Sequence, residues 1–141
     1  MKYTTSAKIE GIIFQKKRLN EDVKLAQVAS AIGHDISHVA AFERGECSIT
    51  GDDYNAALAF IKMLPVEMND LVRSFTFAIE QDTDIAVLNS AVDLDLVIDQ
   101  PDYQFIDTPE LKEYLDELIN EDPLLNESDD IDDYGPERFI D

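Results

Sequence analysis

Between residues 25 and 45 the apolar positions follow the pattern of two short helices joined by a tight turn. In the first helix they recur at the spacing i, i+3, i+4 and i+7, on Leu25, Val28, Ala29 and Ile32. Gly33 follows directly, where a glycine lets the chain leave a helix in a left-handed conformation. A second apolar face runs to Gly45 and holds Ile36, Val39 and Ala40. The pattern predicts helix, tight turn and helix, with Ala29 and Ala40 small enough for a close crossing.

The rest of the N-terminal half also has helical spacing. Ile9, Ile12 and Ile13 predict a helix over about 6–18. Thr50 and Asp53 resemble a capping box at the start of a further helix, with Asp in place of the usual Glu or Gln. Pro65 is a favourable first residue for another helix. The face of that helix predicted to be buried holds Leu71, Val72, Phe75 and Ile79.

Residues 82–107 carry an ambiguous pattern. Apolar and acidic residues alternate from Val92 to Asp99, as they do in a strand. The apolar residues at 85–88 and 91–92 also fit a helix, and we predict a helix over about 84–97. Residues 103–106 are expected to form an extended connector.

A helix is predicted over 108–120, with Thr108 as N-cap and Pro109 at its first position. Its apolar stripe contains Leu111, Tyr114, Leu115, Leu118 and Ile119. The stripe has two interpretations: it completes one core with the N-terminal helices, or it forms an exposed dimer or partner surface. The second interpretation makes Leu111, Tyr114, Leu115 and Leu118 partner-binding candidates. Folding as one body is favoured, because an isolated helix of about 13 residues is marginal in water.

Charge divides the 141-residue chain into two unlike parts. Residues 1–73 hold 9 basic and 10 acidic residues, whereas residues 74–141 hold 2 basic and 21 acidic ones, for a net charge of −20. We predict an all-α fold in three segments: a helical domain at 1–81, an acidic helical region at 82–125 and a disordered acidic tail at 126–141. A single cysteine, the lack of a secretory segment at the N-terminus and the lack of a membrane-spanning run favour a cytoplasmic protein.

A family resemblance rests on several of these positions. They are Ala29, the pair Ile32 and Gly33, Val39, the run Phe42-Glu43-Arg44-Gly45, and then Thr50, Tyr54, Ala57, Leu58 and Ile61. Over roughly residues 8–64 the chain resembles the lambda repressor/Cro-like, or XRE, helix-turn-helix family. The resemblance implies an N-terminal five-helix repressor-like bundle, a DNA-binding transcriptional regulator and a homodimer on an operator.

The resemblance also implies an interface with double-stranded DNA. The base-reading candidates are Asp35, Ile36, Ser37, His38 and Ala41, and the phosphate-contact candidates are Lys16, Lys17, Lys24 and Arg44. The family usually has Ser, Arg, Gln, Thr or Asn at the base-reading positions, so this chain departs from the pattern. Leu25 replaces a common Gln and removes an expected phosphate contact. The basic cluster at 16–18 is equally well explained by its place at a helix C-terminus, where cations are favourable.

No sequence pattern for catalysis or for a cofactor is present. His34 and His38 have the i, i+4 spacing of a shared helix face and Cys47 lies nearby. There is no CxxC or HExxH context, so we expect no metal site. The chain also lacks a GxSxG sequence and a phosphate-binding loop. We therefore predict a non-enzyme without cofactors.

Three functions are compatible with the sequence. The first is a DNA-binding regulator, antitoxin-like in layout, whose acidic half binds a basic protein. The second is a protein-binding inhibitor on the same scaffold, whose acidic surface mimics nucleic acid. The third is an assembly protein whose apolar helix stripes mediate oligomers. The first is favoured, since it explains both charge regions.

Overall fold

The computed structural model describes residues 1–106 and 108–121 and shows a mainly helical chain with one small sheet. The elements in chain order are β1 Lys2–Thr5, α1 Ser6–Asn20, α2 Leu25–Ile32, α3 Ile36–Glu43, α4 Gly51–Phe60, α5 Pro65–Asp82, β2 Ile85–Leu88, α6 Ala91–Val97, β3 Gln104–Phe105 and α7 Thr108–Asn120. The all-α prediction is correct for the predominance of helix but missed the three strands. The tail predicted to be disordered, 126–141, lies outside the described residues.

The helix, tight turn and helix predicted at residues 25–45 are confirmed as α2, a three-residue turn and α3. Gly33 ends α2 with φ at +72°, and the His34 amide donates to the Ala29 carbonyl at 2.9 Å. Gly45 follows α3 with φ at +76°, and the Glu46 amide donates to the Ala41 carbonyl at 2.9 Å. Both helices therefore end in a left-handed glycine that satisfies carbonyls of the last turn.

The sheet joins the first residues of the chain to its second half. Its strand order is β2-β1-β3 and both pairings are parallel, with Tyr3 opposite Ala86 on one side and Phe105 on the other. The predicted helix over 84–97 is therefore wrong in its first part, because residues 85–88 pair with β1. Helix α6 starts only after Ser90, whose hydroxyl accepts from the Asp93 amide at 3.2 Å.

One apolar core connects the two halves of the chain. It contains Ile9, Ile13 and Phe14 of α1, Leu71, Phe75 and Ile79 of α5, and Leu111, Leu115 and Ile119 of α7. The segments predicted at 1–81 and 82–125 therefore contribute to one shared core, in line with the favoured interpretation that the chain folds as one body. Of the partner-binding candidates, Leu111 and Leu115 are fully buried, while Tyr114 and Leu118 are partly buried against the same core. The partner-surface interpretation of Leu111 and Leu115 is thus wrong, because α7 packs inward.

Candidate nucleic-acid interface

Helix α3 presents the first of the predicted base-reading residues to solvent. Asp35 is the N-cap residue, and Asp35, Ile36 and Ser37 are exposed, with Ile36 at 52% of its full accessibility. His38 and Ala41 are only partly exposed. The start of α3 therefore offers one carboxylate, one hydroxyl and one apolar side chain to a partner.

A buried ion pair fixes α3 against α1. Arg18 Nε lies 2.6 Å from Glu43 Oε2, and Arg18 Nη2 donates to Glu43 Oε1 at 3.2 Å. Arg18 Nη1 also donates to the Val23 carbonyl at 2.8 Å, in the loop that leads into α2. A two-point guanidinium–carboxylate contact defines orientation as well as distance. Arg18 thus sets the position of both helices that flank the turn.

Gly11 allows α1 and α3 to approach closely. A Cβ atom at Gly11 would lie 2.3 Å from the Glu43 carbonyl oxygen and 2.7 Å from that of Phe42. No side chain fits in that space, so the position requires glycine. An isolated glycine inside an apolar helical pattern was the sequence signal for this contact, whereas the Arg18–Glu43 pair had no local signal.

The four phosphate-contact candidates occupy different environments. Lys17 is buried and its Nζ lies 3.2 Å from Glu21 Oε2, so its ammonium group already has a partner within the chain. Lys24 is the exposed N-cap residue of α2. Lys16 is partly exposed and forms no ion pair within the part of the chain that the structure describes. Of the four candidates, Lys16 and Lys24 are therefore the two with no ion pair to another described residue.

Arg44 is exposed at the C-terminal end of α3 and lies 3.1 Å from Glu46. The hydrogen bond from Arg44 lowers the pKa of Glu46 below its ordinary value. Both side chains are more than half exposed. Exposed ion pairs of this kind contribute little to the free energy of folding. Arg44 can therefore exchange Glu46 for an external anion at a small cost in stability.

His34 links the α2–α3 turn to α4, and His38 lies beside it. His34 Nε2 lies 2.8 Å from Asp53 Oδ2, and the His34 and His38 rings have centroids 4.7 Å apart. His38 Nε2 lies 4.0 Å from Cys47 Sγ. Among residues 1–106 and 108–121, no three or more His, Cys, Asp or Glu side chains are placed to share a metal ion.

The contact with His34 changes the role expected of Asp53. Thr50 is the N-cap residue of α4, but its side chain forms no capping hydrogen bond. The predicted Thr50–Asp53 capping box is therefore wrong, because the Asp53 carboxylate binds the α2–α3 turn instead.

Tyr54 joins α4 to α1. Its hydroxyl donates to Glu10 Oε2, and its ring lies edge-on to Phe42 of α3 with centroids 6.3 Å apart. Burial, and then the hydrogen bond to Glu10, raise the pKa of the Tyr54 phenol above its ordinary value. The tyrosine predicted from the resemblance to lie on an apolar helix face is thus a packed side chain with a polar anchor.

Comparison with known protein families, with curated proteins and with solved structures found no match to this chain. Within the described part of the chain, every helix is too short or too polar to cross a lipid bilayer.

Proposed function

We propose that this protein is a helix-turn-helix DNA-binding transcriptional regulator that reads duplex DNA with the start of α3. The observation that carries the proposal is the exposure of Asp35, Ile36 and Ser37 directly after the glycine turn, on a helix locked to α1 by Arg18 and Glu43. A rigidly held helix with exposed side chains at its N-terminal end suits entry into a major groove.

Each exposed side chain has a partner on a base edge. The Ser37 hydroxyl can donate or accept, the Asp35 carboxylate can accept from the N4 amine of cytosine, and Ile36 can contact a thymine methyl. Lys16, Lys24 and Arg44 supply the phosphate contacts, which release counterions and make binding sensitive to salt. Three cations per protomer are few, so the proposal includes a homodimer on two half-sites about 34 Å apart.

The acidic half of the chain is the reason to propose a second partner. Exposed carboxylates of α7 include Glu110, Glu113 and Glu117, and residues 74–141 hold 21 acidic residues against 2 basic ones. We propose that this surface attracts a basic protein, as in an antitoxin-like autoregulator. Contact would come from these carboxylates, since Leu111 and Leu115 are buried.

The experiment is a fluorescence anisotropy titration of the full-length protein with a duplex carrying the region upstream of its own gene, at two salt concentrations. We expect Ser37→Ala to weaken binding by about 0.5–1.5 kcal/mol, and only to duplexes that carry the base it contacts. Lys24→Gln should weaken binding to all duplexes and reduce the slope of the salt dependence by about one.

Arg73→Gln is the matched control, because Arg73 is an exposed cation on α5 paired with Asp70. It removes the same charge as Lys24→Gln and should leave binding unchanged. Equal losses of DNA affinity in Lys24→Gln and Arg73→Gln would show that net charge alone accounts for the effect, and would contradict the proposed interface.

A second candidate is a protein-binding inhibitor that mimics nucleic acid. It is favoured by the α3 surface itself, where Asp35 and the half-exposed Ile36 stand in place of the usual polar readers. Full-length protein that is folded by circular dichroism and shows no duplex binding at either salt concentration would support this candidate over the regulator.

A further inference from the structure

A cavity of about 340 Å³ lies where α7 meets α1 and α3. Its apolar wall is formed by Ile12, Leu25 and Ala40, and its polar wall includes Arg44 and Lys112. The volume is at the lower end of the range for small-molecule sites, which combine an apolar lining with a few convergent polar groups. The site is built from both halves of the chain.

Three cations converge on this cavity in a chain whose net charge is −20. Arg44 and Lys112 line it directly. Lys8 Nζ lies 3.4 Å from the Arg44 carbonyl oxygen and 3.3 Å from Thr108 Oγ1, which places a third cation at its border. Lys112 is the only basic residue of α7 and forms no ion pair with any described residue.

The carboxylate that lines the cavity is already neutralised. Glu43 accepts from Arg18 through both oxygens, and Gln15 Nε2 lies 3.3 Å from its Oε1. Among the residues that the structure describes, the Arg44 guanidinium pairs with exposed Glu46, a contact that an incoming anion can replace at little cost. The charged groups of the polar wall that are not held in a buried ion pair are therefore the two cations Arg44 and Lys112.

We propose that this cavity binds a small amphipathic organic anion. Its acidic group would lie against Lys112 and Arg44, and its apolar body against Ile12, Leu25 and Ala40. The inference does not require DNA binding, because it uses only the geometry of the α1–α3–α7 junction, although Arg44 is shared with the proposed phosphate contacts. An anion bound there bridges α7 to the end of α3 and stabilises the folded state by mass action.

The test is a titration of the full-length protein with 8-anilinonaphthalene-1-sulfonate, an aromatic body carrying one anionic group, followed by fluorescence and by the melting temperature. We expect one saturable site, a rise in melting temperature and weaker binding at high salt. Lys112→Gln should raise Kd about tenfold, the loss expected when one charged hydrogen bond is removed.

Lys62→Gln is the matched control, because Lys62 is 79% exposed and does not line the cavity. It should leave Kd unchanged. The uncharged probe N-phenyl-1-naphthylamine should bind at least about tenfold more weakly than the sulfonate, for the same reason.

Three results would overturn the proposal: an unchanged Kd in Lys112→Gln, equal affinity for the two probes, or binding that does not saturate. Because the sulfonate probe also binds loosened proteins with exposed apolar surface, each variant is first compared with the parent chain by near-ultraviolet circular dichroism. A folded Lys112→Gln variant with parental affinity therefore counts against the site.

Discussion

The guanidinium of Arg18 contacts the carboxylate of Glu43 at two points, 2.6 and 3.2 Å, across 25 residues of sequence. The side chains are 8% and 4% exposed. This pair ties the C-terminal end of α3 to α1, so the orientation of the proposed reading helix depends on it. Buried pairs add little net stability over an apolar replacement, but breaking one leaves an uncompensated charge.

Glu43→Gln is therefore expected to lower the free energy of unfolding by about 3–5 kcal/mol, because Arg18 keeps its charge in a buried site. Urea denaturation followed by circular dichroism measures the loss. Asp70→Asn is the control, since it removes the exposed contact with Arg73 at 3.3 Å and should cost less than about 1 kcal/mol. Similar losses in the two variants would show that the buried pair has no special role.

Gly11→Ala tests the close approach of α1 and α3. In an open helix the change from glycine to alanine stabilises by about 1 kcal/mol. Here the new Cβ would lie 2.3 Å from a backbone oxygen of Glu43, so we expect a loss of about 1–3 kcal/mol or more. Ser74→Ala, at an exposed position of α5, should be neutral or slightly stabilising. A stabilised Gly11→Ala variant would contradict the packing described between these helices.

Leu115→Ala tests whether α7 belongs to the common core. Leu115 is fully buried, and removing such a side chain typically costs about 2–5 kcal/mol. Leu96→Ala is the control at a residue of α6 that is 69% exposed, where we expect a change within about 0.5 kcal/mol. The unfolding transition is followed in urea for both variants. A Leu115→Ala protein as stable as Leu96→Ala would restore the interpretation of the α7 stripe as an exposed dimer or partner surface.

Tyr54 should make the fold sensitive to alkaline pH. Burial and the hydrogen bond to Glu10 raise the pKa of Tyr54 above the value of about 10 that it has in the unfolded chain. The contribution of Tyr54 to the free energy of unfolding is present in full below pH 10. It is lost as pH rises toward the folded-state pKa, because the unfolded chain releases a proton that the folded chain retains.

Tyr54→Phe should reduce this alkaline loss by up to about 1.4 kcal/mol per pH unit above pH 10. The measurement is the free energy of unfolding at several pH values between about 8 and 11. Tyr114 also has a raised pKa, through burial and then its contact with Asp82, so some pH dependence remains in the variant. The same alkaline slope with and without the Tyr54 hydroxyl would disprove its contribution.

The sequence pattern predicted the positions of several helices and turns of this chain. The apolar spacing and the glycines at 33 and 45 located α2, the turn and α3, and Pro65 located the start of α5. The stripe at 108–120 gave the bounds of α7. The three exposed residues at the start of α3 were also among the residues proposed to read DNA. These features depend on neighbours within about two helical turns, so a single sequence contains the information for them.

The features that only the tertiary structure decided involve residues that are far apart along the chain. Residues 85–88 became a strand because β1, more than eighty residues earlier, supplies their hydrogen-bond partners. Glu43 is paired with Arg18, 25 residues earlier, and Lys112 lines the same cavity as Arg44. Local periodicity does not encode parallel pairing or the ion pair that a charged side chain forms, because both depend on which segments the core brings together. The sequence thus determined the helices and their apolar faces, and the packing of α1, α3 and α7 determined which charges remain available for binding.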